Sequence, residues 1–120
     1  MENFSERFKE RTKKFALDII RFYQCLPKTG EAKIIGHQLL SAGTSVAANY
    51  RAACRARSDK EFYAKICIVI EESDETQFWL ELLHKSGIVS NTNIDALLNE
   101  AEEILKIMVS TRQKLKRKNI

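Results

Sequence analysis

Apolar residues recur along the chain at intervals of three and four, and four stretches carry that rhythm. Phe4, Phe8, Arg11, Phe15, Ile19, Phe22 and Leu26 share one face of a helix over residues 4–26, which Pro27 and Gly30 close. Thr29 or Gly30 can cap the next helix. Ile35, Leu39, Ala42, Val46, Asn49 and Ala53 form the stripe of this second helix over 31–57. From Ala42 to Ala48 nearly every residue is small, so a neighbouring helix can come close. Asn49 interrupts the stripe. A buried amide is costly unless bonded, so Asn49 is expected to fix register against a partner helix.

Ser58-Asp59-Lys60-Glu61 is a capping box, in which the serine hydroxyl accepts from the third helical amide and the glutamate reaches back. It opens a third helix over 59–86, with Gly87 as its C-terminal cap. Phe62, Ile66, Val69, Ser73, Thr76, Leu80 and Leu83 make its inner stripe. Ile68, Ile70, Phe78, Trp79 and Leu82 are apolar on other faces. A helix apolar on more than one side is buried on more than one side, which one bundle cannot do alone. A subunit interface is therefore expected along Ile68, Glu72, Glu75, Trp79 and Leu82, where the two carboxylates either face a neighbour's Lys or Arg or stay solvated at the surface. Asn91 or Asn93 caps a fourth helix over 93–117, whose stripe is Ile94, Leu97, Leu98, Ala101, Leu105, Met108, Val109 and Leu115.

Nothing in the chain alternates like a strand for more than a few residues. Four helices on short connections predict an all-α protein, one domain over residues 1–120: an antiparallel up-down-up-down four-helix bundle that is homo-oligomeric. Composition agrees. At 120 residues, with 44% apolar and 30% charged, the chain suits one well-filled helical domain. No apolar run reaches the roughly 20 residues of a membrane span. The first residues lack a signal peptide's apolar stretch, so a cytoplasmic location without membrane contact is expected. Cys25, Cys54 and Cys67 show no paired spacing and are expected to be small buried hydrophobes.

The placement of charge adds more than the net +4. Up-down connectivity gathers residues 1–14, 51–65 and 112–120 at one pole. That pole takes fifteen of the twenty Lys and Arg but five of the sixteen Asp and Glu. Such lopsidedness is the footprint of a polyanion binder, and Arg51, Arg55, Arg57, Lys60, Lys114, Lys116, Arg117 and Lys118 are the candidate contacts to RNA or DNA. Helix dipoles favour cations at the ends of the second and fourth helices, but act in the opposite sense at the start of the first. No base-reading motif is present, so sequence specificity is not expected. The alternative is a protein-interaction scaffold using the second apolar face of the third helix.

Catalytic chemistry finds no foothold. Glu81 and His84 make one Glu-x-x-His unit, but a bundle di-metal site needs two, and Ile34 stands three residues before His37. The four glycines are isolated, so no phosphate-cradling loop exists. Neither an enzyme, a metal nor a cofactor is expected.

The run Ser45-Val-Ala-Ala-Asn-Tyr-Arg-Ala-Ala-Cys-Arg-Ala-Arg-Ser58, then Glu61-Phe62, then Glu71 to Leu83, resembles the bacterial four-helix-bundle proteins related to those encoded in intervening sequences of large-subunit ribosomal RNA. Asn49-Tyr50-Arg51-Ala52-Ala53 stands where the wider family often has Asn-Ile-x-Glu-Gly. The resemblance spans roughly residues 8–110. It implies an up-down bundle assembled as a homopentameric ring. The basic, nucleic-acid-binding pentameric accessory protein of diversity-generating retroelements looks like a relative.

Overall fold

A computed structural model of the chain describes residues 3–90 and 93–118. These form four α-helices and no strand: α1 (Phe4–Gln24), α2 (Gly30–Cys54), α3 (Asp59–Lys85) and α4 (Asn93–Arg117). The molecule measures 47 × 29 × 20 Å, a length set by helices of about 1.5 Å rise per residue. α2 packs against α1 and α3, and α3 against α4, whereas α1 and α4 meet far more sparsely.

Local chemistry sets the helix ends. Asn3 Oδ1 accepts from the Glu6 amide at 2.9 Å, Thr29 Oγ1 from Ala32 at 3.4 Å and Ser58 Oγ from Glu61 at 3.1 Å. Gly87 has φ +83°, the left-handed geometry a C-terminal cap requires, and its amide bonds the His84 carbonyl at 3.1 Å. Of the two caps expected for α4, Asn91 lies outside the described residues, and Asn93 is the first helical residue.

Three helices stop short of the expected bounds, α3 by the single residue Ser86, which is its C-terminal cap. α1 ends at Gln24 rather than 26, because the residue before Pro27 is pushed out of the helical region. α2 ends at Cys54 rather than 57. Ser58 must be extended to cap α3 (φ −155°, ψ 161°), so the chain leaves α2 over 55–57 through the bonds Arg55 N to Ala52 O and Ala56 N to Ala53 O.

The core runs the length of the bundle through Phe15, Ile19, Leu39, Val46, Ile66, Leu80, Leu83, Ile94, Ile104 and Met108, all 2% exposed or less. Ser73 and Thr76, also buried, return their hydroxyls to the Val69 and Glu72 carbonyls at 2.7 Å. The small-residue stretch serves as expected: a Cβ at Gly43 would lie 2.9 Å from Ile19 Cγ1 and Cγ2, so only glycine lets α1 and α2 approach this closely.

Several stripe positions differ from expectation. Thr12, not Arg11, fills the inward place on α1; Arg11 is half-exposed because its guanidinium finds carboxylates at the rim. Tyr50, not Asn49, is the buried residue of that pair. The tyrosine ring offers more apolar area and meets Phe8 edge-on at 4.9 Å, while half-buried Asn49 donates to the Ser45 carbonyl of its own helix at 2.9 Å. Ile35 is half-buried and Ala32 and Gly36 take the inner places; Leu98, Leu105 and Val109 flank the buried Ile104. Ile70 turns into the core, and Phe4 is 47% exposed. Cys25 is exposed and Cys54 and Cys67 are half-buried, so none is the fully buried hydrophobe expected.

Candidate nucleic-acid interface

The start of α1, the end of α2, the start of α3 and the end of α4 lie together at one end of the molecule. Phe4 and Ser5, Tyr50, Phe62, residues of α4 from Lys106 to Leu115, and Lys118 just past its end line one cavity there of about 510 Å³. Arg51, Arg55, Arg57, Lys60, Lys114, Lys116, Arg117 and Lys118 all belong to these segments, and all are exposed. Arg57 has an ion-pair partner, Glu61, whose oxygen is 3.8 Å from Nε. The other seven have none among the described residues. Cations without partners stay fully hydrated and available to an incoming phosphate.

Three cations of α1 behave differently. Arg11 makes a two-pronged contact with Glu100 on α4, Nε to Oε2 at 2.8 Å and Nη2 to Oε1 at 2.7 Å, and reaches Glu103 at 3.0 Å. Its hydrogen bonds to Glu100 raise its pKa above the ordinary guanidinium value. Lys13 lies 3.5 Å from Glu10, and Lys14 2.8 Å from Asp18. By position in the chain these three belong to the basic pole, but their carboxylates neutralise them locally. Lys9 of α1 has no ion-pair partner among the described residues, so the uncompensated charge lies at the ends of α2 and α4, the start of α3 and this one lysine.

The 510 Å³ cavity sits where α1 and α4 part company. Lys114 and Lys118 border it, Arg57 lines an adjoining hollow of about 350 Å³ that shares Ser5 and Phe62, and the remaining candidate cations line neither. Phe4 stacks on Phe8 with ring centres 5.4 Å apart and planes at 11°, and Phe8 in turn meets Tyr50. Burial, with Cys54 nearby, pushes the Tyr50 hydroxyl up to about 12. Sequence reasoning missed this pairing of aromatic rings with lysines. Phe4 heads the α1 stripe and reads as core; only its place at the open end of that stripe hints otherwise.

The expected interface on α3 is one continuous stripe. Ile68, Glu72, Glu75 and Trp79 are half-buried and Leu82 is 36% exposed, with Phe78 beside them at 50%. Trp79 Nε1 donates to Glu75 Oε1 at 3.2 Å, and its ring meets Phe78 edge-on at 5.0 Å. Burial, then the charges of Glu75 and Glu71, push the Glu72 carboxyl above the usual glutamate range. His37 and His84 are exposed, and no group of three or more His, Cys, Asp or Glu among the described residues could hold a metal ion. No described helix is long and apolar enough to cross a membrane.

Fold and surface define an all-α, four-helix protein with a cation-rich end and an apolar-acidic outer stripe. The chain belongs to the 23S rRNA-intervening sequence protein family, whose model matches residues 7–110. It is similar to a crystal structure of a protein of unknown function from the S23 ribosomal protein family of Bacteroides thetaiotaomicron. The two are 32% identical over 87% of this chain and 96% of that one, with a TM-score of 0.81. No curated protein matches the chain.

Proposed function

We propose that this protein is a non-enzymatic, cytoplasmic, homo-oligomeric module that binds RNA or DNA without sequence specificity through its cation-rich end. The observation that carries this reading is the set of exposed cations without ion-pair partners: Arg51, Arg55, Lys60, Lys114, Lys116, Arg117 and Lys118. The meeting of alternate helix ends around one cavity supports an antiparallel up-down-up-down order. The outer stripe of α3 supports self-association, and the family resemblance favours five copies in a ring. Assembly would bring several cationic ends around one axis and multiply the phosphates engaged.

Each phosphate neutralised releases condensed counterions, so log K should fall with log[salt] with a slope of about −0.9 per contact on duplex DNA. Electrophoretic mobility shifts with RNA and DNA over a salt series test this. Unshifted probes at micromolar protein and low salt would overturn it. A second reading, a scaffold that receives a partner helix on α3, draws on the exposure of Phe78 and Leu82. Trp79→Glu separates the two roles of that face: monomers in light scattering support self-association, and an intact oligomer supports a partner site.

A further inference from the structure

We propose that the cavity between α1 and α4 at the cation-rich end holds an unpaired base, so that single-stranded nucleic acid is the preferred ligand. This rests on the nucleic-acid function proposed for that end and deepens it. Three observations converge on the cavity. Its walls carry aromatic rings from three helices, Phe4, Tyr50 and Phe62. Phe4 is 47% exposed and lines the cavity, so its ring is accessible to a ligand there. Its ring is already backed by Phe8 at 5.4 Å in near-parallel stacking, so the platform is held flat without a ligand.

The polar groups complete the match. Lys106 and Lys114 of α4, and Lys118 just past its end, border the cavity from one side, at the spacing that stacks side chains along a helix: Lys114 stands about two turns beyond Lys106, and Lys118 about one further. Lys106 is 3.4 Å from Glu102, whereas Lys114 and Lys118 have no ion-pair partner among the described residues. Ser5 and Ser110 add hydroxyls that can donate or accept toward a base edge or a sugar. Apolar ring faces edged by lysines suit a flat, polarisable ligand on an anionic backbone, and about 510 Å³ is within the range of small-molecule sites. A purely apolar partner helix would leave the lysines facing its greasy side. A duplex keeps its bases stacked and offers no ring face to Phe4.

The test compares Phe4→Ala and Phe4→Tyr with the unaltered protein, using a fluorescein-labelled twelve-nucleotide oligouridine and a DNA duplex of equal length, by fluorescence anisotropy at one salt concentration. Loss of one stacked base should weaken oligouridine binding roughly tenfold in Phe4→Ala. Phe4→Tyr should retain the affinity, and duplex binding should not change in either variant. Because Phe4 is half-exposed at a helix start, both variants should fold, which circular dichroism checks. Equal binding of both probes, insensitive to Phe4→Ala, overturns the inference and leaves the phosphate-binding function standing. Binding of neither probe by the unaltered protein overturns both.

Discussion

The two long faces of α3 are built from similar residues and come to different ends. The inner face, Ile66, Val69, Ile70, Ser73, Thr76, Leu80 and Leu83, is buried throughout, and its two hydroxyls are satisfied by carbonyls of the same helix. The outer face, Ile68, Glu72, Glu75, Trp79 and Leu82, repeats the three-four spacing on another side of the helix, yet remains half-buried to exposed. Periodicity alone cannot separate a face that finds its partners within the chain from one that does not. What separates them is that the outer stripe carries carboxylates, one of which is already pushed toward protonation by burial and by its neighbours. The inner face is finished. The outer face stays partly open, with Trp79 alone of its residues packed against the core.

Substitutions on each face can break that comparison. Leu80 is fully buried, and Leu80→Ala should cost about 2–5 kcal/mol, read as a lower denaturant midpoint with an unchanged slope. A loss below about 1 kcal/mol would mean the inner face is less tightly filled than its burial implies. Trp79→Glu should cost the single chain about 1–3 kcal/mol, since the ring is partly buried against the core, meets Phe78 and is bonded to Glu75. Its main effect should be on association, so the melting temperature should lose its dependence on protein concentration. Phe78→Ser, at a still more exposed ring, should shift stability by no more than about 0.5 kcal/mol.

The smallest effect concerns protons. Because the folded-state pKa of Glu72 is raised above its unfolded value, the folded state holds the proton more tightly across the interval between the two. Stability from this group therefore falls as pH rises through that interval, and the deficit is fully present at neutral pH. Glu72→Gln should raise the melting temperature slightly at pH 7, and the gain should vanish below the ordinary glutamate range. A gain that persists at low pH would point to packing instead of charge. A loss at pH 7 would indicate that the carboxylate is matched by a cation in the assembled protein.

Much of the fold was legible in the chain because long helices repeat their signal. Six of the seven residues expected on the inner stripe of α3 are buried there, and the capping serine and Gly87 stand where their chemistry predicts. The errors cluster where two adjacent residues compete for one inward position. Arg11 against Thr12 and Asn49 against Tyr50 are each about 100° apart around a helix, so the stripe's direction decides, and that direction depends on neighbours the sequence does not place. The candidate cations were legible as charges but not as free charges. Glu100 lies some ninety positions beyond Arg11 in the chain, and only folding reveals that they are clasped. The groove was invisible for the same reason: its walls come from all four helices.

That clasp sits on the least-populated joint of the bundle. α1 and α4 share few contacts, and hollows of about 510 and 350 Å³ open on their common boundary toward either end, the second lined by Asp18, Phe22, Asn93 and Leu97. The chain is thus a rolled strip with three glued folds and one buttoned edge, and Arg11 is the button. Thermal breathing should begin there, with amides of α1 and α4 exchanging with deuterium sooner than those of α2 and α3. Any large ligand or neighbouring molecule that needs the strip to widen would meet least resistance along that edge.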